Sequence, residues 1–113
     1  MQDDIPQVTP EITPAQAVHV IFQAREGDLA ADALRAFIAG LNVDEKAHLT
    51  AIAWVGRGAC EPEEYQEAVS TAYSEATTPT DDYLMGMPHL AENLEAGLEA
   101  LGIDVSGEEP DFL

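Results

Sequence analysis

The chain has 113 residues, 46% of them apolar, and sets 22 acidic residues against four basic ones, a formal net charge of −18. This length suits one domain with a thin but real core, and the apolar fraction excludes a chain disordered throughout. The charge argues against direct binding to DNA, RNA or an anionic membrane, and leaves a basic protein partner, self-association or a merely solvated acidic surface.

Residues 1–12 hold Pro6 and Pro10 and no helical period, and read as a loose arm. Thr13-Pro14-Ala15-Gln16 then signals a helix start, with Thr13 as cap, Pro14 in the first position and Gln16 completing a capping box. On a helix from Pro14 to Arg25, residues Ala15, Val18, Ile21 and Phe22 are expected to share a face. Arg25, at the end of that face, is placed to meet a neighbour's carboxylate. Gly27 breaks the helix and Asp28 is expected to cap the next, over residues 29–41. Its stripe is Ala30, Leu34, Phe37, Ile38 and Leu41, and the pair forms a helical hairpin.

Asn42-Val43-Asp44-Glu45 is a second capping box, opening a helix that holds the sole Trp. From Thr50 to Val55 every residue but the Thr is apolar, and these side chains point all round the axis. A helix apolar on every side is buried on every side, so this third helix belongs at the centre. In Gly56-Arg57-Gly58 one glycine is expected to close the helix and the other to free the chain to reverse. Glu61-Pro62-Glu63-Glu64 starts a fourth helix with the stripe Tyr65, Val69, Ala72 and Ala76, flanked by Tyr73. Its opposite face, Glu63, Glu67, Ser70 and Ser74, is expected in solvent.

After the polar stretch 77–82, Tyr83-Leu84-Met85 fits one helical turn, and a last helix runs from Pro88 to Leu101. Gly97 lies on its apolar stripe of Leu90, Leu94, Leu98 and Leu101. A mid-helix glycine costs about 1 kcal/mol relative to alanine, so another helix, the central one, is expected to cross closely there. The predicted fold is all-α, a compact bundle of four to five helices with a buried central third helix. It spans 13–102 as one domain, between the arm at 1–12 and an acidic tail at 103–113.

No catalytic or metal-binding set stands out, and no cofactor is expected. His19, His48 and His89 lie on three different helices, and the pairs His48 with Asp44 and His89 with Glu92 supply two ligands each, short of a site. Each His is therefore expected to be satisfied or solvated. Cys60, the sole cysteine, cannot form an internal disulfide, and Glu61, Glu63 and Glu64 around it oppose a reactive thiolate. Arg57 in its glycine turn resembles an anion site but lacks phosphate-loop spacing, and pairing with the chain's own carboxylates is expected. Tyr83, Met85 and Met87 either offer an apolar patch to a partner or cover the end of the core. There is no basic-then-apolar leader and no run of about 18 apolar residues, so a soluble, cytoplasmic protein is expected.

Two groups of residues carry a family resemblance. One is Leu41-Asn42-x-Asp44-Glu45 with Leu49 and Ala53-Trp54-x-Gly56-Arg57-Gly58. The other runs from Thr80-x-x-Tyr83-Leu84-x-Gly86-x-Pro88 through Leu90-Ala91, Leu94-Glu95 and Gly97-Leu98 to Leu101-Gly102. Together with Ala24-Arg25-Glu26 they resemble a bacterial family of uncharacterised proteins, domain of unknown function 3775. The resemblance implies no activity, cofactor or catalytic residue. This chain departs from the pattern in Ala59-Cys60, where Asp is frequent, and near Tyr65, where Trp is frequent. It also departs at Thr77 to Asp82, where basic residues are frequent, which weakens any expectation of a basic contact surface there.

The leading expectation is a protein-binding or regulatory module, with Arg57, Tyr83, Met85 and Met87 as candidate interaction residues. The alternatives are an enzyme or small-ligand binder with a site near Arg57, Cys60 and Tyr83, and a nucleic-acid mimic that binds a basic protein.

Overall fold

The computed structural model describes residues 12–74 and 78–103. They form α1 (Pro14–Glu26), α2 (Ala31–Ala39), α3 (Val43–Gly56), α4 (Tyr65–Ser74), the short α5 (Thr80–Met85) and α6 (Leu90–Ala100). There is no strand among the described residues. The protein is an all-α bundle. α3 lies at its centre, packed most extensively against α6 and next against α4, while α1 contacts α6 and α2.

Both capping boxes form. Thr13 accepts from the Gln16 N–H at 3.1 Å while the Gln16 side chain accepts from the Thr13 N–H at 2.9 Å. The Asn42 and Glu45 pair closes at 2.7 and 2.8 Å. Each box satisfies two N–H groups that a helix start leaves without partners.

α3 is buried continuously from Ala47 to Ala53, and Leu49, Ala51, Ile52 and Ala53 are wholly enclosed. Its approach to α6 explains two glycines. A Cβ on Gly97 would lie 2.1 Å from the Ile52 carbonyl oxygen, and one on Gly56 would lie 1.6 Å from that of Asn93. The close crossing expected at Gly97 is therefore present, and Gly56 is its counterpart on α3. Gly58 alone closes the helix, at φ +84, with its N–H on Val55 and the Ala59 N–H on the Trp54 carbonyl at 2.9 Å. This left-handed closure needs no side chain from Arg57.

Four expectations are corrected. Asp28 does not cap α2, because residues 27–30 form a 3-10 turn that leaves Leu29 in solvent and brings in α2 behind Ala30. The buried face of α1 is Ala17, Val18, Val20 and Ile21, while Ala15 is exposed and Phe22 half-buried. α1 lies in a corner between α2 and α6, so the enclosed arc is wider and turned from a single stripe. Ile12, assigned to the arm, is only 1% exposed and belongs to the core. Pro88 does not open the last helix, because His89 stands at φ 58, ψ 38 and α6 begins at Leu90. Residues 1–11, Ala76 and the tail from Asp104 lie outside the described residues.

Candidate functional site

The candidate residues fall in three separate places. Arg57 is exposed at the end of α3, and no ion pair or hydrogen bond from its side chain is formed among the described residues. Among the described residues, ion pairs are formed by other cations. Arg25 pairs with Glu95 on α6, and Arg35 pairs with Asp81 and Asp82 at the start of α5. Tyr83 is half-buried, and its hydroxyl accepts the Trp54 indole N–H at 2.8 Å, tying α5 to the centre. Met87 is 7% exposed and, with the half-buried Met85, closes the end of the core. Both methionines also line a hollow of about 440 Å³ whose polar wall is Arg25, Asp28, His89 and Glu92.

Cys60 sits elsewhere, in a hollow of about 260 Å³ beside Trp54, Glu64 and Glu67. Neither Arg57 nor Tyr83 lines it. Burial pushes the Cys60 thiol up, and Glu64 and Glu61 push it further. The thiol therefore stays protonated at neutral pH, the opposite of what nucleophilic work requires. Arg57, Cys60 and Tyr83 thus do not come together in this hollow.

His48 is buried, with its Nδ1 2.6 Å from the Tyr65 hydroxyl, a bond that joins α3 to α4. Burial drives the Tyr65 phenol well above its usual range, so the hydroxyl keeps its proton. His19 packs against Phe37 at a ring separation of 4.4 Å, and burial lowers its pKa. Among the described residues no group of three or more His, Cys, Asp or Glu is placed to hold a metal ion.

The sequence left one region unmarked. A groove of about 370 Å³ runs between α3, the end of α4 and residues 78–80. Val43, Ala47 and Thr50 of α3 and Ala72 and Tyr73 of α4 line it, with Lys46 at its edge. Val43 is 67% exposed and Tyr73 is 42% exposed, two large side chains partly in solvent at the groove. The Tyr73 hydroxyl donates to Asp44, which sets a carboxylate beside them. The spacing of Val43, Ala47 and Thr50 by four and three residues was the available signal, since it defines one helix face. No helix among those described is long and apolar enough to cross a membrane.

Residues 31–103 match the family model described as Protein of unknown function (DUF3775). The matched stretch runs from the first residue of α2 to three residues past the end of α6 and takes in Arg57, Tyr83, Met85, Met87 and the residues that line the α3 groove. No curated protein and no solved structure matches the chain. The chain belongs to the DUF3775 family.

Proposed function

We propose that this member of the DUF3775 family is a cytoplasmic protein-binding or regulatory module whose partner presents a basic surface. The observation that carries the reading is the balance of charge over the fold. Arg25 and Arg35 are engaged by Glu95, Asp81 and Asp82, while Glu61, Glu63, Glu64, Glu67, Glu92 and Glu99 are exposed. The chain holds four cations in all, so compensation for this surface must come from outside it. A cationic partner gains from the field, and it is steered toward the protein at a rate that falls with salt. The same field opposes self-association, because two copies bring surfaces of one sign together.

The test is retention on the immobilised protein combined with sedimentation of the free protein. The expected result is a monomer that retains basic proteins and releases them as salt is raised. A protein that retains nothing, or retains partners without regard to their charge or the salt, overturns the proposal. Nucleic-acid mimicry predicts in addition that a polyanion such as heparin displaces the partner completely. A partner held partly by apolar contacts is displaced only in part.

A further inference from the structure

We propose that Met85, Met87 and His89 form a binding site for a soft monovalent cation, Cu(I). The site goes beyond the reading above and does not depend on it.

The three residues alternate along Met85-Gly86-Met87-Pro88-His89, where α5 passes into α6, and all three line the hollow of about 440 Å³. Hydrogen bonds hold this link at both ends. The Gly86 N–H donates to the Asp82 carbonyl at 3.2 Å, and the Met87 N–H to that of Leu84 at 3.0 Å. The Pro88 carbonyl accepts from the Asn93 side chain at 3.3 Å, and the His89 carbonyl from the Asn93 N–H at 2.9 Å. Donors on a held link are in place before a ligand arrives, which lowers the ordering cost of binding. His89 is the unusual member. At φ 58 it is the one non-glycine residue with positive φ among those described. It precedes α6 where Ser, Thr, Asp or Asn would cap the helix. Its side chain caps nothing, is exposed, and forms no hydrogen bond or ion pair among the described residues. A costly backbone conformation that presents a side chain without a structural task points to a ligand.

The donor types choose the ion. Thioether sulfur is soft and uncharged, a poor ligand for zinc, calcium or magnesium and a good one for Cu(I), which also takes imidazole. The harder donors nearby do not make a rival set. Asp28 and Glu92 line the same hollow, but no three His, Cys, Asp or Glu among the described residues are placed to share an ion. Those two carboxylates instead keep the hollow negative, because Arg25 on the same wall is engaged by Glu95. A cation is favoured there over an anion. Methionine has three rotatable bonds, so the half-buried Met85 and the largely buried Met87 are able to turn sulfur toward an ion with the backbone at rest.

The probe is Cu(I), supplied anaerobically as its acetonitrile complex and followed by competition with a chromogenic chelator and by NMR of isotope-labelled methionine methyl groups. The chain has three Met, so Met1 serves as an internal reference. The full chain is expected to take up one Cu(I), with shifts of the Met85 and Met87 methyls and the His89 ring. The Met1 methyl is expected to stay in place, and Zn(II) at the same concentration to leave all three methyls unmoved. Met85→Leu, Met87→Leu and His89→Asn are each expected to weaken binding by about tenfold or more. Leu keeps the volume of Met, and Asn accepts a left-handed backbone, so these variants are expected to fold. Cys60→Ser is expected to bind as the native protein does. Native Met85 and Met87 methyls that do not move with Cu(I) overturn the site. So does binding unchanged in the double variant M85L/M87L, or binding lost in Cys60→Ser. Each of these results leaves the protein-binding reading untouched.

Discussion

Where α3 meets α6 the two backbones are in contact, and a methyl group on Gly97 would lie 2.1 Å from the Ile52 carbonyl oxygen. Where α3 meets α4 the helices meet through side chains, among them the His48–Tyr65 hydrogen bond, and the seam opens into a groove at the first turn of α3. One flank of the same helix thus lets backbones meet at two glycines, and the other is joined through side chains. The first arrangement fixes one distance and tolerates nothing added. The second leaves an opening at the first turn of α3.

The contrast is sharpest for Gly97→Ala and Gly56→Ala. Each new methyl group would meet backbone, which cannot rotate aside, so the helices must move apart. Each is expected to cost about 3 kcal/mol despite the better helix propensity of alanine, read as a lower urea midpoint. A neutral or stabilising result would show that the crossing is looser than described. On the other flank, Tyr65→Phe removes one hydroxyl and keeps the ring. The expected loss is about 1–2 kcal/mol, the cost of a buried bond given up by His48. A loss equal to that of Gly97→Ala would erase the distinction between the flanks.

Smaller effects probe the surface beyond α4. Glu64→Gln removes one of the two carboxylates that raise the Cys60 thiol, so more thiolate forms at a given pH. Alkylation by iodoacetamide at mild alkaline pH is expected to run a few-fold faster, and an unchanged rate would show that burial alone governs the thiol. The smallest effect belongs to Val43→Gln. An exposed position at the groove should shift stability by no more than about 0.5 kcal/mol, measured by thermal unfolding. A larger loss would make Val43 part of the core.

Local signals in the sequence translated well. The boxes at Thr13–Gln16 and Asn42–Glu45 formed because each partner lies three residues away and depends on nothing distant. The central place of α3 followed from side chains that are apolar all round, and the close crossing followed from a glycine on an apolar stripe. What was missed depends on neighbours far along the chain. The second role of a glycine at position 56 is visible only once Asn93 is opposite it. Pairs such as His48–Tyr65, Trp54–Tyr83 and Tyr73–Asp44 are separated by 17 or 29 residues and carry no periodic trace. The turn at 27–30 looked like a helix start because Asp28 is a good cap, yet the chain tightened into a 3-10 turn first. The candidate site was harder still. Arg57 drew notice through its glycines, whereas the groove is made of ordinary residues whose exposure, and not their type, is the signal.

The place of α6 over α3 also bears on the order in which the protein is made. The central helix is complete after Gly56, but the element that covers its most closely packed side does not exist until Leu90–Ala100 has been synthesised. During that interval the surface around Ile52 and Gly56 has no native cover, and hydrophobic surface exposed in a partly made chain is prone to misassembly. A truncation before Leu90 would make that state permanent. For this fold α6 supplies the cover that the most closely packed side of the central helix requires.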